Sequence, residues 1–271
     1  MIHCTVKERG LMMSIRRPFF SPPFFGTFLA IAILLASCGS STNYDHTGLC
    51  ADWEEFSIGD YLFQNNVWGK GSISDYEQCL FEASGGGFPA GWHWIWPQPG
   101  GGVKAYPEVI FGHKPWNASS TTLDLPVQLS EDPEITAAYD ITQDASGSYN
   151  LAFDIWLTST NPPTGNTITR EIMIWLDRNI IVAAGTFQET VTIDSESYDF
   201  YRADFADWTY LAFVKTAPEF SGNTRIDLFF DYLVGEGHIT AAEYCASIEF
   251  GNEVISGSGQ TELTSYSVTI N

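Results

Sequence analysis

The chain has 271 residues, of which 44% are hydrophobic, 15% aromatic and only 17% charged, a composition that excludes disordered, collagen-like and coiled-coil proteins. Its 33 acidic residues outnumber 12 basic ones, and the net charge of -21 disfavours binding to nucleic acids or to anionic lipid headgroups. We therefore expect no nucleic-acid partner. The 24 glycines and 13 prolines suit one domain with many turns.

The N-terminus has the features of an export signal. Basic residues precede an apolar run over residues 24–35, which is shorter than the about 20 residues of a transmembrane helix. The run leads into Leu-Ala-Ser-Cys at residues 35–38, which resembles the bacterial lipobox. We predict a lipoprotein signal peptide over residues 1–37 and lipidation at Cys38; an ordinary secretory signal with an incidental cysteine is the alternative.

Small polar residues follow Cys38 and predict a flexible tether over residues 38–48, with a folded domain over residues 49–271. Gly39, rather than an aspartate, follows the cysteine and favours sorting to the outer membrane if the source is Gram-negative. We therefore expect an exported, lipid-anchored protein at the outer membrane or cell surface. Its membrane contact would be through the N-terminal lipid only, and we expect a monomer.

The domain alternates short segments rich in β-branched and aromatic residues with turns rich in Gly and Pro. Many strands at short spacing predict an all-β sandwich or a closed barrel. One stretch breaks this pattern, because Ile226, Phe229, Phe230 and Leu233 have helical spacing and Gly235 follows as a stop. We predict a β-sandwich that carries one short helix.

Three cysteines remain in the predicted domain, and an exported protein meets an oxidising compartment. Cys50 and Cys79 flank the expected first hairpin and could clip the N-terminal strand to the sheet. Cys245 lies in an apolar run and is interpreted as a small buried hydrophobic residue. The cysteines do not have the spacing of metal ligands.

Residues 169–176 alternate in the manner of a strand, so that every second residue from Ile172 would face the core. The other face then presents Glu171, Met173 and Trp175. A carboxylate in line with a thioether and an indole is expensive to bury but useful in a sugar-binding cleft. The alternative is a solvated glutamate beside a partly covered tryptophan.

The segment over residues 149–157 repeats this arrangement and places Asp154 on its non-core face. If the two strands are neighbours, Asp154 could stand beside Glu171, and the two carboxylates would raise each other's pKa. Near the C-terminus, residues 247–253 place Glu249 and Glu253 together on one strand face, just before a Gly-rich turn.

Tryptophans are concentrated in the first part of the domain. Trp68 follows a pair of asparagines, whereas Trp92, Trp94 and Trp96 alternate strictly and so share one face of a strand. An indole can stack on the apolar face of a sugar ring. Packing in the core is the alternative for the three alternating residues.

Together these segments resemble glycoside hydrolase family 12, the compact endo-β-1,4-glucanases. The resemblance is carried, in order and spacing, by residues 65–69 (Asn-Asn-Val-Trp-Gly), residues 171–176 (Glu-Ile-Met-Ile-Trp-Leu) and residues 250–253 (Phe-Gly-Asn-Glu) with the turn that follows. It spans roughly residues 49–271. The resemblance implies a β-jelly roll of two curved antiparallel sheets with a concave substrate cleft, and hydrolysis with retention by double displacement.

The resemblance also implies roles for individual residues. Glu171 matches the family's nucleophile, Glu253 its general acid/base, and Asp154 the carboxylate that assists the nucleophile. A retaining glycosidase needs two carboxyl groups about 5 to 5.5 Å apart, one ionised and one protonated. Trp68 matches an indole that stacks on a glucose unit, and Cys50 with Cys79 match the family's disulfide.

Four further residues lie in or beside the matching segments and are predicted to contact the substrate: Asn66, Tyr106, Met173 and Trp175. No cofactor or metal is expected. The leading hypothesis is a lipid-anchored endo-β-1,4-glucanase that acts on β-glucan, xyloglucan or cellulose. A non-catalytic glycan-binding surface lipoprotein is the alternative from another class, and it would need no pair such as Glu171 and Glu253. A purely structural jelly-roll lipoprotein is a third.

Overall fold

The computed structural model describes residues 48–98 and 101–271. The predicted signal peptide over residues 1–37, Cys38 and the tether as far as residue 47 lie outside the described residues. Within the described part of the chain, no helix has both the length and the apolar character needed to cross a membrane.

The described residues form fourteen strands, one α-helix and two short 3₁₀ turns. The strands are β1 (Glu55–Ile58), β2 (Tyr61–Gln64), β3 (Glu77–Glu82), β4 (Ala90–Trp96), β5 (Glu108–Gly112), β6 (Val127–Gln128), β7 (Ile135–Thr158), β8 (Ile168–Asn179), β9 (Thr186–Ile193), β10 (Glu196–Asp204), β11 (Thr209–Lys215), β12 (Ser221–Arg225), β13 (Tyr244–Gly251) and β14 (Val254–Ile270). The helix α1 spans Ile226–Gly235, and the 3₁₀ turns are Leu129–Glu131 and Gly165–Thr167.

Hydrogen bonding is continuous through all fourteen strands, but β7 divides them into two sheets. The first half of β7 pairs with β14 and β12, and β14 continues through β4 to β3. We call this the five-strand sheet. The second half of β7 pairs with β13 and β8 in the order β1-β2-β5-β13-β7-β8-β11-β10-β9, which we call the nine-strand sheet. β7 thus belongs to both sheets, and the short β6 pairs with one end of β13.

Glycines occupy the place where β7 changes partners. Gly147 has φ of 94° and pairs with Gly257, whose φ is 102°. A Cβ on Gly147 would lie 2.3 Å from the carbonyl oxygen of Ser256, so a larger residue would need both a left-handed backbone and a displaced neighbour. The close approach of β7 and β14 at this point therefore requires glycine.

One hydrophobic cluster takes side chains from both sheets and from α1, which places the core between the sheets. Along the second half of β7 the odd-numbered residues enter this core, as do Ile172, Ile174 and Leu176 on β8. Ile226, Phe229, Phe230 and Leu233 of α1 are buried as well. The predicted β-sandwich, the single helix and the core face of each strand are confirmed.

The sheets are not wholly antiparallel, because β8 and β11 pair in parallel. After β8 the chain runs to the sheet edge at β9, turns back through β10, and then inserts β11 between β10 and β8. The even number of reversals brings β11 into the direction of β8, which the local sequence pattern did not reveal.

The three cysteines of the described domain form one disulfide and one free thiol. Cys50 and Cys79 form a disulfide that joins the start of the described domain to β3. The backbone of Leu49 bridges to Leu80 beside it, so the disulfide and this contact hold the N-terminal segment on the five-strand sheet. Cys245 is a free, buried thiol in β13.

Candidate active site

The face of the nine-strand sheet that points away from the core carries a row of acidic side chains. Glu108, Glu249, Asp154 and Glu171 lie on the adjacent strands β5, β13, β7 and β8. Asp154 stands directly opposite Glu249 on one side and opposite Met173, two residues from Glu171, on the other. The predicted neighbourhood of Asp154 and Glu171 is therefore present, and we call this face the cleft face.

Glu171 lies between two indoles. The Trp208 Nε1–H donates to Glu171 Oε2 at 2.6 Å, because parallel pairing of β11 with β8 brings Trp208 alongside. Trp156 is the cross-strand partner of Glu171 on β7 and meets Trp208 edge-to-face at 5.4 Å. Burial raises the pKa of Glu171 to about 8, while the Trp208 hydrogen bond opposes this shift.

Glu253 is held by Asn150 on β7. The Glu253 backbone N–H donates to Asn150 Oδ1 at 2.9 Å, the Asn150 N–H donates to the Glu253 carbonyl at 3.0 Å, and Asn150 Nδ2 donates to Glu253 Oε2. Burial raises the pKa of Glu253 to about 7, with the Asn150 hydrogen bond acting against it. Glu253 lies between the end of β13 and the start of β14, not on a strand with Glu249 as predicted.

Three carboxyl groups of the cleft, Glu171, Glu253 and Asp154, have raised pKa values. The charge of Glu253 raises the pKa of Glu171, and burial followed by the charge of Glu171 raises the pKa of Asp154 well above its usual range. Glu171 and Glu253 each accept one side-chain N–H, so the number of hydrogen-bond donors does not show which of them has the lower pKa. Because these three pKa values are raised, the cleft retains protons near neutral pH. A cleft with one ionised and one protonated carboxyl can perform nucleophilic and acid–base chemistry.

Comparison with known proteins identifies the family of this site. The sequence model described as Glycosyl hydrolase family 12 matches residues 59–271, which is most of the chain. This chain belongs to glycosyl hydrolase family 12. It is therefore a glycoside hydrolase, and the all-β architecture described above is that of the solved family 12 structures it resembles.

Several family 12 proteins align over most of their length. Endoglucanase S of Pectobacterium parmentieri is 33% identical over 257 residues, covering 92% of this chain and 94% of its own. A xyloglucan-specific endo-beta-1,4-glucanase A of Aspergillus niger is 28% identical, covering 89% and 98% respectively. A family 12 xyloglucanase structure from Bacillus licheniformis superposes with a TM-score of 0.77 at 31% identity, covering 82% of this chain and 98% of its own.

The family 12 resemblance singled out Trp68, Asn66 and Tyr106, and the structure places them beside the cleft face. The Trp68 side chain is 59% exposed, as a stacking surface must be. Asn66 is buried beneath it and accepts the Trp68 backbone N–H at Oδ1 over 3.0 Å, while its Nδ2 donates to Glu108 Oε1 at 2.7 Å. The Tyr106 hydroxyl donates to the Ala152 carbonyl at 2.9 Å. Asn66 and Tyr106 are each only 4% exposed, and their direct contact with a substrate stays a prediction.

Met173 and Trp175 lie on the cleft face, as predicted, but only 1% of each is exposed. They form a second apolar cluster, in which the Trp175 Nε1–H and the Tyr210 hydroxyl each lie 3.4 Å from Met173 Sδ. This cluster is the packed floor of the cleft. Direct contact of these two side chains with a sugar stays a prediction.

Trp92, Trp94 and Trp96 take the core alternative, since each is at most 2% exposed. Trp92 still bears on the site, because its Nε1–H donates at 2.7 Å to Asn252 Oδ1. Asn252 in turn donates to the Asn150 carbonyl at 2.6 Å, next to the residue that holds Glu253.

Sequence reasoning missed Trp208, Asn150 and Trp116 in this family 12 cleft. Trp116 is 54% exposed and contacts Trp156 edge-to-face at 4.9 Å, so a line of three indoles leads to Glu171. Asn150 shares the non-core face of residues 149–157 with Asp154, and this alternation was the available signal. Trp208 and Trp116 lie in loops, where alternation carries no information.

One group of possible metal ligands lies on the other sheet, where Glu77, Cys79 and His93 approach one another within 4.8 Å. The Cys79 sulfur is bonded to Cys50, and His93 Nε2 lies 3.0 Å from Glu77 Oε1. With the sulfur committed, two ligands remain, fewer than a structural or catalytic zinc site uses.

Proposed function

We propose that this glycoside hydrolase cleaves internal β-1,4-glucosidic bonds of a β-glucan by double displacement with retention. The observation that carries the proposal is the pair Glu171 and Glu253, which share one cleft, with the charge of Glu253 acting on Glu171. The family membership supports it, as do relatives named endoglucanase and xyloglucan-specific endo-beta-1,4-glucanase. A glycan-binding surface without hydrolytic activity would have no use for such a pair.

In the first step, Glu171 attacks the anomeric carbon as nucleophile while Glu253 gives its proton to the departing glycosidic oxygen. The bond from the anomeric carbon to that oxygen breaks, and a glycosyl ester forms on Glu171. Trp208 holds Glu171 Oε2 by its hydrogen bond, which leaves Oε1 to attack. Burial raises the pKa of Glu253 to about 7 and that of Glu171 to about 8, so the cleft holds a proton near neutral pH, and the family resemblance assigns that proton to Glu253.

In the second step, a water molecule attacks the same carbon from the face that the leaving group vacated. Glu253, now ionised, takes the proton from this water, and Glu171 departs as a carboxylate. Two inversions give net retention. Asp154, within the electrostatic reach of Glu171, would assist by holding a proton while Glu171 is ionised.

The decisive test follows both product length and product stereochemistry. The purified protein is incubated with barley β-glucan, xyloglucan and carboxymethylcellulose, and the products are sized. We expect a rapid fall in polymer length on at least one of the three, as internal cleavage demands. Proton NMR of an oligosaccharide digest should show the β-anomer first. An initial α-anomer would mean a single displacement and would overturn the roles of both glutamates.

We further propose that Cys38 carries a lipid that anchors the enzyme at the outer membrane or cell surface. The support is sequence alone: the apolar run over residues 24–35 directly precedes Leu-Ala-Ser-Cys, and a polar tether follows. Cys38→Ser should move the enzyme from the membrane fraction to the soluble fraction. A variant that stays membrane-bound, together with no lipid adduct on the wild-type peptide by mass spectrometry, would refute the anchor.

A further inference from the structure

A buried lysine lies among the acidic side chains of the cleft face, and neither step above uses it. Lys114 follows β5 and is 7% exposed. Its Nζ donates to Glu108 Oε1 at 2.7 Å and to Glu249 Oε2 at 2.8 Å. In the described part of the chain, no other ion pair links a lysine or arginine to the acidic residues of the cleft.

Glu249 connects this lysine to the reacting groups. Its Oε1 accepts the Ser247 hydroxyl at 2.9 Å, and its Oε2 accepts from Lys114, so both oxygens have donors. On the next strand Asp154 stands directly opposite Glu249, at a separation of about 4.5 to 5.5 Å between Cβ atoms for such a pair. Asp154 in turn senses Glu171. These contacts run in the order Lys114, Glu249, Asp154 and Glu171, the proposed nucleophile.

The remaining carboxyl groups are poorly provided with donors. Glu108 Oε1 accepts from Asn66 and Lys114, but Glu108 Oε2 and Asp154 Oδ1 are buried atoms with no hydrogen-bond partner among the described residues. An ionised oxygen in that position carries a large desolvation cost. Burial accordingly raises the pKa of both groups well above the usual range. Of the two carboxyl groups that Lys114 contacts, Glu249 is the one with a donor on each oxygen.

We infer that Lys114 is a positioning residue whose charge, with that of Glu249, sets the ionisation of Asp154 and thereby the pH at which Glu171 becomes an effective nucleophile. This inference rests on the proposed function for its consequence in catalysis. It assigns to Lys114 no contact with substrate. Its action is through Asp154, across the β13–β7 pairing.

The surroundings of Asp154 make the direction of the effect clear. The groups that face it are acidic on every side: Glu249 on β13, Glu171 on β8 and Glu253 before β14. The phenols of Tyr106 and Tyr210 also sense its charge, and Glu108 stands beyond Glu249 on β5. Lys114 opposes this acidic set and lowers the pKa of Asp154, whereas Glu249 raises it.

The test compares two substitutions that should shift the pH dependence of kcat/KM in opposite directions. The pH dependence of kcat/KM on soluble β-glucan reports the ionisation of the free enzyme. Because Asp154 and Glu171 interact, the acid limb reports the first proton lost from this pair. Lys114→Met should therefore move the acid limb to higher pH by about one unit, and Glu249→Gln should move it to lower pH by about one unit. The double variant removes one charge of each sign, so its acid limb should return close to the wild-type position.

A second lysine provides a matched control. Lys215 is also buried between two carboxylates, Glu196 and Glu219, but at the end of β11 and away from the cleft carboxyl groups. Lys215→Met should lower thermal stability and leave the acid limb in place. Limbs that stay fixed in all variants, or that move in the same direction for Lys114→Met and Glu249→Gln, would show a merely structural ion pair and overturn the inference.

Two further measurements keep the inference testable if a variant misfolds or turnover is absent. Glu249→Gln is nearly isosteric, and an unshifted acid limb in this variant alone contradicts the proposed coupling. Titration of ¹³C-labelled carboxyl groups by NMR reads the Asp154 shift without any turnover. If the wild type hydrolyses no β-glucan, the proposed function fails, whereas the NMR titration of Glu249→Gln still decides the electrostatic coupling.

Discussion

Along the second half of β7 and over residues 172–176 of β8, side chains that face the core alternate one by one with side chains that face the cleft, and both sets are buried. Ile155 and Ile172 are 0% exposed, while Asp154 is 8% and Met173 1% exposed. Burial therefore does not separate the structural face from the functional one. The two faces differ in what they bury. The core face buries apolar groups, which stabilises the fold. The cleft face buries carboxyl groups that lack a full set of hydrogen-bond donors, which costs stability.

The largest expected effect on activity comes from removing a carboxyl group of the cleft. Glu171→Ala should reduce kcat/KM on β-glucan by about 10⁴-fold or more, because no glycosyl ester can form. Glu253→Ala should lose about 10² to 10⁴-fold on the same substrate, but retain glycosylation with an activated aryl glycoside. Azide should rescue Glu253→Ala to the β-glycosyl azide. The same product from Glu171→Ala would exchange the two roles.

Removal of a core-face side chain on the same strand should have the opposite profile. Ile174→Ala should lower the free energy of unfolding by about 2 to 5 kcal/mol, because a fully buried side chain leaves a cavity. Denaturant melts give the loss directly. Its kcat/KM per folded molecule should fall far less than that of Glu171→Gln, which in turn should be at least as stable as the wild type. Equal losses of activity in both variants would mean that the two faces are not separable.

The stability lost by burying ionised carboxyl groups in the cleft should appear in the pH dependence of the free energy of unfolding. The folded pKa values of about 8 for Glu171 and about 7 for Glu253 lie above the ordinary value of 4.5, so between these limits the folded state binds more protons than the unfolded state. The free energy of unfolding must then fall as pH rises from 4.5 toward 8. Each unit of raised pKa corresponds to about 1.4 kcal/mol.

Melting temperatures of the wild type at pH 5 and pH 8 provide the measurement, with the lower value expected at pH 8. A double variant with Glu171→Gln and Glu253→Gln should show a much flatter dependence. A wild-type stability that increased over this interval would contradict the assignment of raised pKa values to these two residues.

The smallest expected effect is at the rim of the cleft. Trp68 is exposed and lies away from the reacting carboxyl groups, so stacking there would act on ground and transition states alike. Trp68→Ala should raise KM for cello-oligosaccharides by roughly 10-fold and change kcat little. An unchanged KM would remove this indole from the substrate path.

Sequence alternation was sufficient to separate the faces of β7 and β8, because a period of two is a local property of the chain. It could not say which face of β4 meets the core, so Trp92, Trp94 and Trp96 remained ambiguous until both sheets were in place. It also extended the β13 strand as far as Glu253, although β13 ends at Gly251 and β14 begins at Val254.

Local sequence patterns could not predict contacts between residues that lie far apart in the chain. The bond from Lys114 to Glu249 joins residues 135 positions apart, and that from Trp208 to Glu171 joins residues 37 positions apart. Each depends on strand order, and for Trp208 on the unexpected parallel pairing of β11 with β8. The resemblance to family 12 supplied the catalytic candidates, but the residues that hold them emerged from the topology.

The pairing of β14 with β7 has a consequence for the order in which the enzyme can mature. β14 is the last of the described strands in sequence, yet it lies inside the five-strand sheet between β4 and β7, and Glu253 directly precedes it. Its pairing with β7 joins residues that are far apart in sequence, and such contacts are slow to form. We therefore expect hydrolytic activity to appear only after β14 has been added between β4 and β7, the step that completes the sheet beside Glu253.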